Sequence, residues 1–259
     1  MEGSTVVYTI KQIKLLLDSG DFTADEISGL RSDKRKGVQH LLDQYDQKAI
    51  HKAELKSKFE EMKAYENTAR NNGKTIIAGI DEAGRGPLAG PVVAAAAVLP
   101  ENFYLEELND SKLLSKQKRE LFYEYIREQA EVGVGIVSSD EIDRLNIYQA
   151  AKRAMRLAVE NLNVNPDHLL IDAMKINAGC SEESVIKGDQ KSVSIAAASI
   201  IAKVTRDRMM KNIGDKYPHY GFESNQGYGT KHHLNALDKY GATPQHRKTF
   251  SPVKERSSI

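Results

Sequence analysis

Two short apolar segments that each end on an aspartate constrain the fold more than any other feature. Residues 75–80 lead into Asp81, and residues 168–171 lead into Asp172. Short apolar runs that are bounded by turn residues are typical of buried strands. In open α/β sheets, functional groups collect at the ends of such strands. We therefore predict a sheet with both aspartates at the edge of its core.

The remainder of the chain from residue 75 predicts strands and then helices between strands. Apolar runs at 92–99, 131–137 and 184–186 predict further strands, and helical spacing predicts helices over 115–130, 140–162 and 195–210. In the first of these helices, Leu121, Tyr125 and Ile126 are expected to share the buried face. Strands that cluster early and then alternate with helices favour a mixed α/β sheet covered by helices.

The first seventy residues have a different residue pattern: they are polar, show helical spacing of apolar residues and lack strand-like alternation. Residues 9–17 are amphipathic, residues 23–26 form a Thr-x-x-Glu capping box, and residues 52–70 carry apolar side chains at helical spacing. We predict a small helical N-terminal extension (1–70), a linker at about 66–74 and a main domain (71–259) with a basic helical C-terminal part. Protein or nucleic-acid contact and plain stabilisation are equally open roles for the extension.

Composition excludes several classes of protein. The longest apolar stretch, residues 91–99, is too short to span a bilayer, and no leader pattern appears at 1–20. The single cysteine, Cys180, cannot form an internal disulfide, which suits a reducing compartment. We expect a cytoplasmic protein without a membrane partner.

Charge is unevenly distributed along a chain whose formal net charge is only +1. Residues 203–256 contain eleven Lys or Arg against five Asp or Glu, and four histidines in addition. A basic region on a nearly neutral protein favours contact with a polyanion. A solvated basic surface is the equally open alternative.

Four acids form a candidate metal site. Side chains of Asp81 and Glu82 alternate in an extended strand, but Ala83-Gly84 predicts a strand break that lets both converge on one site. With Asp172 and Asp189 they would place four repelling carboxylates together. Hard divalent cations relieve that repulsion, and oxygen ligands select Mg²⁺ or Mn²⁺. Each aspartate alone is more readily explained as a cap or a surface acid.

Residues 84–91 combine three glycines, two prolines and Arg85. The segment lacks the Gly-Lys-Ser/Thr of a phosphate-binding Walker loop and the spacing of a dinucleotide-binding loop. Glycines beside an arginine allow backbone N–H groups and a guanidinium to approach a phosphate closely. A rigid turn between two strands is the alternative.

The order of several motifs makes the chain similar to one family. Residues 79–92 (GIDEAGRGPLAGPV) closely resemble the signature of bacterial ribonuclease HII. Further similar segments follow in the family's order: 110–115 (DSKLLS), 170–173 (LIDA), 187–189 (KGD), 197–207 (AASIIAKVTRD) and 227–230 (GYGT). The resemblance covers residues 74–252 and assigns no role to the first seventy.

This resemblance implies a ribonuclease H-like fold and metal-dependent endonucleolytic cleavage of RNA in RNA–DNA hybrids and of ribonucleotide-containing duplex DNA. It implies a monomer, with Mn²⁺ or Mg²⁺ held by Asp81, Glu82, Asp172 and Asp189. By position, the substrate contacts would come from Gly84, Arg85, Gly86, Ser111, Lys112, Lys203, Arg206 and Tyr228. The first three resemble the loop at the ribonucleotide, and Tyr228 resembles a tyrosine that stacks on the next deoxyribose. For Lys203 and Arg206, an ordinary helix-surface role is equally open.

Three rival functions remain at this stage. A ribonuclease HIII or a junction-resolving nuclease would share the fold and the acids. A non-catalytic nucleic-acid-binding protein would use the basic C-terminal third alone. A phosphate-binding metabolic enzyme would use the glycine loop, and hydrolysis of free nucleotides would reveal it.

Overall fold

The computed structural model describes residues 8–256, which divide into two compact units at Lys58/Phe59. The first unit contains α1 (Ile10–Ser19), α2 (Ala24–Arg31) and most of α3 (Lys36–Met62). Thr9 and Thr23 each begin a helix with a reciprocal capping box, which satisfies amide groups that the first turn leaves free. The core of this unit consists of Ile13, Leu17, Leu30, Val38 and Leu42.

The second unit is a mixed sheet between helices, as the sequence predicts. Its strands are β1 (Ile77–Ala83), β2 (Val92–Val98), β3 (Glu131–Val137), β4 (His168–Asp172) and β5 (Ser181–Val185). Its helices after α3 are α4 (Ala64–Asn71), α5 (Lys116–Gln129), α6 (Ser139–Leu145), α7 (Ile147–Glu160), α8 (Val193–Lys216), α9 (Phe222–Asn225), α10 (Lys231–Tyr240) and α11 (Val253–Arg256). Across the sheet the order is β3-β2-β1-β4-β5, with β1, β4 and β5 parallel and the β1–β2 and β2–β3 pairs antiparallel.

Small residues let helices pack closely on both faces of this sheet. On one face α8 crosses β1 at Gly79, where a Cβ would overlap the backbone of Ser194. On the other face α7 packs against β3, where a Cβ on Gly133 or Gly135 would overlap carbonyl oxygens of the helix. Close packing of this kind holds the strand ends, and the side chains that follow them, in fixed positions.

Two predicted helices differ from the structure. The helix predicted over 140–162 is two helices, because Asn146 adopts φ 69° and caps α7 through its side chain. In α5, the buried pair is Phe122 and Ile126, which lie four residues apart on one face, while Leu121 is 71% exposed. The predicted face of that helix is therefore wrong at Leu121 and at Tyr125, which is 37% exposed.

The segment predicted as a linker at about 66–74 is mostly helix α4. Glu66, which is 3% exposed, accepts hydrogen bonds from the Ser192 hydroxyl at 2.5 Å and from the Ser194 amide at 3.0 Å. Its carboxylate thereby caps the N-terminus of α8, where an anion is favourable. Within residues 8–256 no helix is long and apolar enough to cross a membrane.

The close contact between β3 and α7 predicts a large cost for Gly135→Ala. The added methyl group would overlap the carbonyl oxygen of Ala154, so the free energy of unfolding should fall by about 1–3 kcal/mol, as for overpacked cores. Gly29→Ala is the matched control, because its Cβ would meet nothing within 4 Å on an exposed helix, and it should be neutral or slightly stabilising. Urea unfolding of both variants provides the measurement. Equal stabilities would contradict the packing argument.

Candidate functional site

Asp81 and Asp172 lie side by side at the carboxyl ends of two adjacent parallel strands. The last registered pair of β1 and β4 is formed by the residues that directly precede them. Asp172 Oδ1 accepts a hydrogen bond from the Gly188 amide at 2.7 Å, and Asp81 is 5% exposed. Burial, followed by the charges of Glu82 and Asp172, raises the pKa of Asp81 well above its usual range. This strand-end placement is the one that the sequence predicts.

Glu82 leaves β1 on the opposite side from Asp81, because the strand continues to Ala83 and its side chains alternate. β1 ends at Ala83, which agrees with the break predicted at Ala83-Gly84, but both acids still lie within the strand. The Glu82 carboxylate still lies near enough to Asp172 for that charge to act on its pKa, which burial raises to about 7. One oxygen, Oε1, lies 3.2 Å from Nη1 of Arg85. The other, Oε2, is buried and has no hydrogen-bond partner in the part of the chain that the structure describes.

Asp189 and Asp110 bring two further buried carboxylates next to Lys112, each 5% exposed. Nζ of Lys112 lies 3.5 Å from Oδ2 of Asp189 and 3.9 Å from Oδ1 of Asp110. Burial, and then the charges of Asp110 and Asp172, raise the pKa of Asp189. Sequence reasoning missed Asp110 as a site residue, although it directly precedes Ser111 and Lys112.

The donor set fits a divalent cation. Within residues 8–256 no three His, Cys, Asp or Glu side chains are arranged to hold one metal ion in common, so ligation requires the carboxylates to rotate toward each other. All candidate ligands are carboxylate oxygens, which favour Mg²⁺ or Mn²⁺ over softer metals. The unpartnered Oε2 of Glu82 is a buried acceptor that an ion would satisfy. Lys112 and Arg85 supply positive charges that lie beside these acids in the structure.

The loop between β1 and β2 rests on two buried arginines. Arg247, 0% exposed, donates to the carbonyl oxygens of Gly84 at 2.6 Å, Arg85 at 2.9 Å and Gly90 at 2.8 Å. Arg206, 1% exposed, donates to the carbonyl oxygens of Pro91, Ala89 and Gln226. Gly84 adopts φ 96°, and a Cβ there would overlap Arg206.

Burial of Arg206 corrects one expectation from the sequence. Its guanidinium is directed at backbone carbonyls and not at the surface, so it does not occupy a position for direct phosphate contact. Sequence reasoning also missed Arg247, which it counted only as part of the basic region. In both cases the charge pattern gives the number of cations but not which of them the fold buries.

The other predicted phosphate contacts lie in different surroundings. Lys112 is exposed over 74% of its side chain, while Ser111 is 2% exposed and its hydroxyl lies 2.9 Å from that of Ser199. Lys203 is paired with Asp207 at 2.7 Å. Of the basic C-terminal residues, Arg208 and Arg256 also form ion pairs. The positive charge available for a polyanion is therefore smaller than the sequence count.

Tyr228 is 51% exposed and lies beside Gly86, where a Cβ would come within 3.4 Å of its ring. The structure thus brings this predicted residue next to the glycine loop. The backbone carbonyl oxygen of Tyr228 lies 2.8 Å from Nδ1 of His233. Nε2 of His233 lies 3.0 Å from Nε2 of His246, and Nδ1 of His246 accepts from the Thr243 amide at 2.9 Å.

The two ends of this chain of hydrogen bonds fix the protonation of both rings. The Thr243 amide can only donate and the Tyr228 carbonyl can only accept. His246 is therefore protonated on Nε2 and His233 on Nδ1, and both rings are neutral. Burial lowers the pKa of His246 to about 4 and also lowers that of His233, which agrees with this assignment.

Comparison with protein families gives two matches that together span most of the chain. The model described as ribonuclease HII matches residues 78–253. The model described as the ribonuclease HII N-terminal domain matches residues 9–70. The chain belongs to the ribonuclease HII family. The resemblance that the sequence shows from residue 74 onward therefore extends to the N-terminal helices as well.

Individual relatives agree with this assignment. The ribonuclease HII of Bacillus cytotoxicus is 56% identical over 250 residues, which cover 96% of each chain. The crystal structure of ribonuclease H2 from Pyrococcus horikoshii OT3 superposes with a TM-score of 0.62 at 28% identity, covering 71% of this chain and 98% of that one. The Bst ribonuclease HIII in complex with Mn²⁺ shares the fold, with a TM-score of 0.51 at 17% identity, covering 71% of this chain and 70% of that one.

Membership of the ribonuclease HII family makes the chain a ribonuclease H-type endonuclease that acts on RNA–DNA and depends on a divalent metal. The ribonuclease H-like fold predicted from the sequence is confirmed by the sheet and by the solved relatives. The rival assignments to a non-catalytic binding protein or a metabolic enzyme are excluded by the family.

The neutral histidine pair predicts a stability that depends on pH. The pKa of His246 falls from 6.5 to about 4 on folding. Between these two pH values the unfolded chain takes up a proton that the folded chain does not, so the free energy of unfolding decreases by about 3 kcal/mol as pH falls from 6.5 toward 4. His246→Asn keeps an acceptor for the Thr243 amide but does not titrate. Urea unfolding at pH 7 and pH 4.5 should show a smaller loss in the variant than in the unsubstituted chain. Equal losses would contradict a buried neutral His246.

Proposed function

We propose that the chain hydrolyses the RNA strand of RNA–DNA hybrids and also cuts on the 5′ side of single ribonucleotides embedded in duplex DNA. The observation that carries this proposal is the adjacent placement of Asp81 and Asp172 at two strand ends. A glycine loop bearing Arg85, with the exposed ring of Tyr228 beside it, provides the means to distinguish a ribose from a deoxyribose.

Hydrolysis in this proposal uses two divalent ions, Mg²⁺ or Mn²⁺, held by Asp81, Glu82, Asp172 and Asp189. Such ions, when bound, lower the pKa of the attacking water and stabilise the leaving 3′ oxygen. The rigid strand ends hold the carboxylate oxygens of Asp81 and Asp172 in place as ligands. The Gly188 amide orients the Asp172 carboxylate by donating a hydrogen bond to it. Lys112 exchanges its acidic partners for a substrate phosphate. The products carry 5′-phosphate and 3′-hydroxyl ends.

Selection of the cleavage position is assigned to Gly84, Arg85, Gly86 and Tyr228. The 2′-hydroxyl is the one group that separates a single ribonucleotide from its DNA neighbours, so recognition must read it by hydrogen bonding. Backbone groups of the loop approach the ribose closely because Gly86 has no side chain. Tyr228 then stacks on the next sugar, where a 2′-oxygen would crowd its ring. Together these contacts favour an RNA–DNA junction.

The proposal also covers the domain organisation, oligomeric state and location of the protein. We propose that residues 1–70 form an N-terminal extension to a catalytic domain of residues 71–259, and that the protein acts as a monomer. Removal of ribonucleotides during DNA replication and repair would place it in the cytoplasm, where the lone Cys180 stays reduced. Lys203 is assigned to the phosphate backbone beside Lys112, whereas the buried hydroxyl of Ser111 does not occupy a position for such a contact.

Asp81→Asn tests the metal site. The amide retains the size of the side chain but removes a charge that attracts the ions, so cleavage of a duplex with one ribonucleotide in Mg²⁺ or Mn²⁺ should fall at least a thousandfold. Duplex affinity measured by fluorescence anisotropy without divalent ions should stay within about threefold of the unsubstituted chain, because phosphate contacts dominate it.

Asp215→Asn is the matched control for this variant. It makes the same change at an exposed residue of α8 and should leave cleavage unchanged. Asp215 lies about 24 Å along the helix, at 1.5 Å per residue, from Ser199, whose side chain is hydrogen-bonded to Asp81. Substantial Mg²⁺-dependent cleavage by Asp81→Asn would disprove the ligand assignment. Cleavage of long hybrids without any cutting at a single ribonucleotide would instead disprove the junction specificity.

The stacking role of Tyr228 predicts a difference between two substitutions. Tyr228→Phe keeps the ring, while Tyr228→Ala removes a contact worth about 1–3 kcal/mol in related stacking interactions. For a single embedded ribonucleotide, kcat/KM should therefore fall roughly tenfold or more in Tyr228→Ala and change little in Tyr228→Phe. The loss should be smaller on an all-RNA strand, where no deoxyribose follows. Equal kcat/KM values for all three proteins would rule out stacking.

A further inference from the structure

Arg247 is buried without a carboxylate partner. It is 0% exposed, and no acid lies within ion-pairing distance of its guanidinium in the described part of the chain. A buried cation is costly unless its donors are all used. In this case the donors are used on the backbone: Nη2 donates to Gly84 and Gly90, Nη1 to Arg85 and Nε to Gly90. A lysine has no planar set of donors that could reach three carbonyls.

The direction of these carbonyls determines the direction of the neighbouring amides. In a trans peptide, the C=O of one residue and the N–H of the next point to opposite sides. Because Arg247 draws the carbonyls of Gly84 and Arg85 inward, the amides of Arg85 and Gly86 must point outward. Within residues 8–256 neither amide has a hydrogen-bond acceptor. Two consecutive free N–H groups of this kind form a small donor site.

This donor site lies beside the other recognition residues. Gly86 is next to the ring of Tyr228, and the side chain of Arg85 reaches Glu82 at 3.2 Å. An oxygen bound to the two amides would therefore lie between the carboxylate cluster and the exposed ring. The ligand chemistry that fits is an acceptor oxygen of the substrate sugar.

We propose that Arg247 is a positioning residue for ribonucleotide recognition: it orients the amides of Arg85 and Gly86 so that they donate to the 2′-oxygen of the ribose. This inference rests on the proposed function. It adds that selectivity for a ribose depends on a buried arginine far along the sequence, which does not itself touch the substrate.

Arg247→Lys tests the proposal because it keeps the buried charge but cannot hold all three carbonyls. Affinity is measured by anisotropy without divalent ions for two duplexes of identical sequence, one with a single ribonucleotide and one all-DNA. The variant should lose about tenfold in the ratio of the two affinities, while its affinity for the all-DNA duplex stays within about twofold. Arg256→Lys, at a partly exposed arginine paired with Asp238, is the matched control and should retain the ratio.

The possible results distinguish failure of the positioning role of Arg247 from failure of the proposed function. An unchanged ratio in Arg247→Lys would overturn the positioning role and leave the proposed function intact. An equal loss for both duplexes would also overturn it, because a purely structural role weakens all binding alike. A lack of preference for the ribonucleotide duplex in the unsubstituted chain would overturn both proposals.

Hydrogen exchange of the unsubstituted chain tests the same geometry without a variant, should Arg247→Lys fail to fold. The amides of Arg85 and Gly86, followed by nuclear magnetic resonance, should exchange rapidly in the free protein because they lack acceptors. The ribonucleotide duplex should slow both amides more than the all-DNA duplex does. Identical exchange with the two duplexes would overturn the proposal.

Discussion

Repulsion between the carboxylates of buried Asp81 and partly buried Asp172 is the constraint on which the rest of the site depends. Parallel pairing of β1 with β4 fixes them at neighbouring positions, and buried Asp189 adds a third acid. The Gly188 amide and Lys112 offset part of this negative charge. The sheet cannot move the aspartates apart without losing its register, so the free energy of the repulsion is available to a divalent cation that binds there.

Rigidity of these strand ends comes from the helix that crosses them. α8 packs directly on Gly79, where no side chain could fit, and its N-terminus is capped by the buried carboxylate of Glu66. The 3-10 turn with Asp189 immediately precedes that helix. Because of this order, α4, which belongs to the segment outside the expected main domain, stabilises the element next to one of the acids.

Much of the fold could be predicted from the sequence, because strand runs and helical spacing are local patterns. Strand-end positions of Asp81 and Asp172 followed from the same patterns. The direction of Glu82 could not be predicted, since it depends on β1 continuing one residue beyond it through pairing with β2. Burial of Arg206 and Arg247 depends on contacts with residues more than a hundred positions away, which no local pattern records.

Residues Thr243 to Arg247 support both recognition elements at once, since His246 acts on Tyr228 through His233 and Arg247 acts on the loop. The four acids all precede residue 190. During synthesis from the N-terminus, the acids therefore emerge from the ribosome well before the segment that supports the proposed recognition residues. A chain that stops short of Thr243 would contain the proposed metal ligands and lack the residues that hold the loop and Tyr228 in place. In the proposed function, the order of synthesis thus makes the ligands for hydrolysis available before the supports for ribose selection.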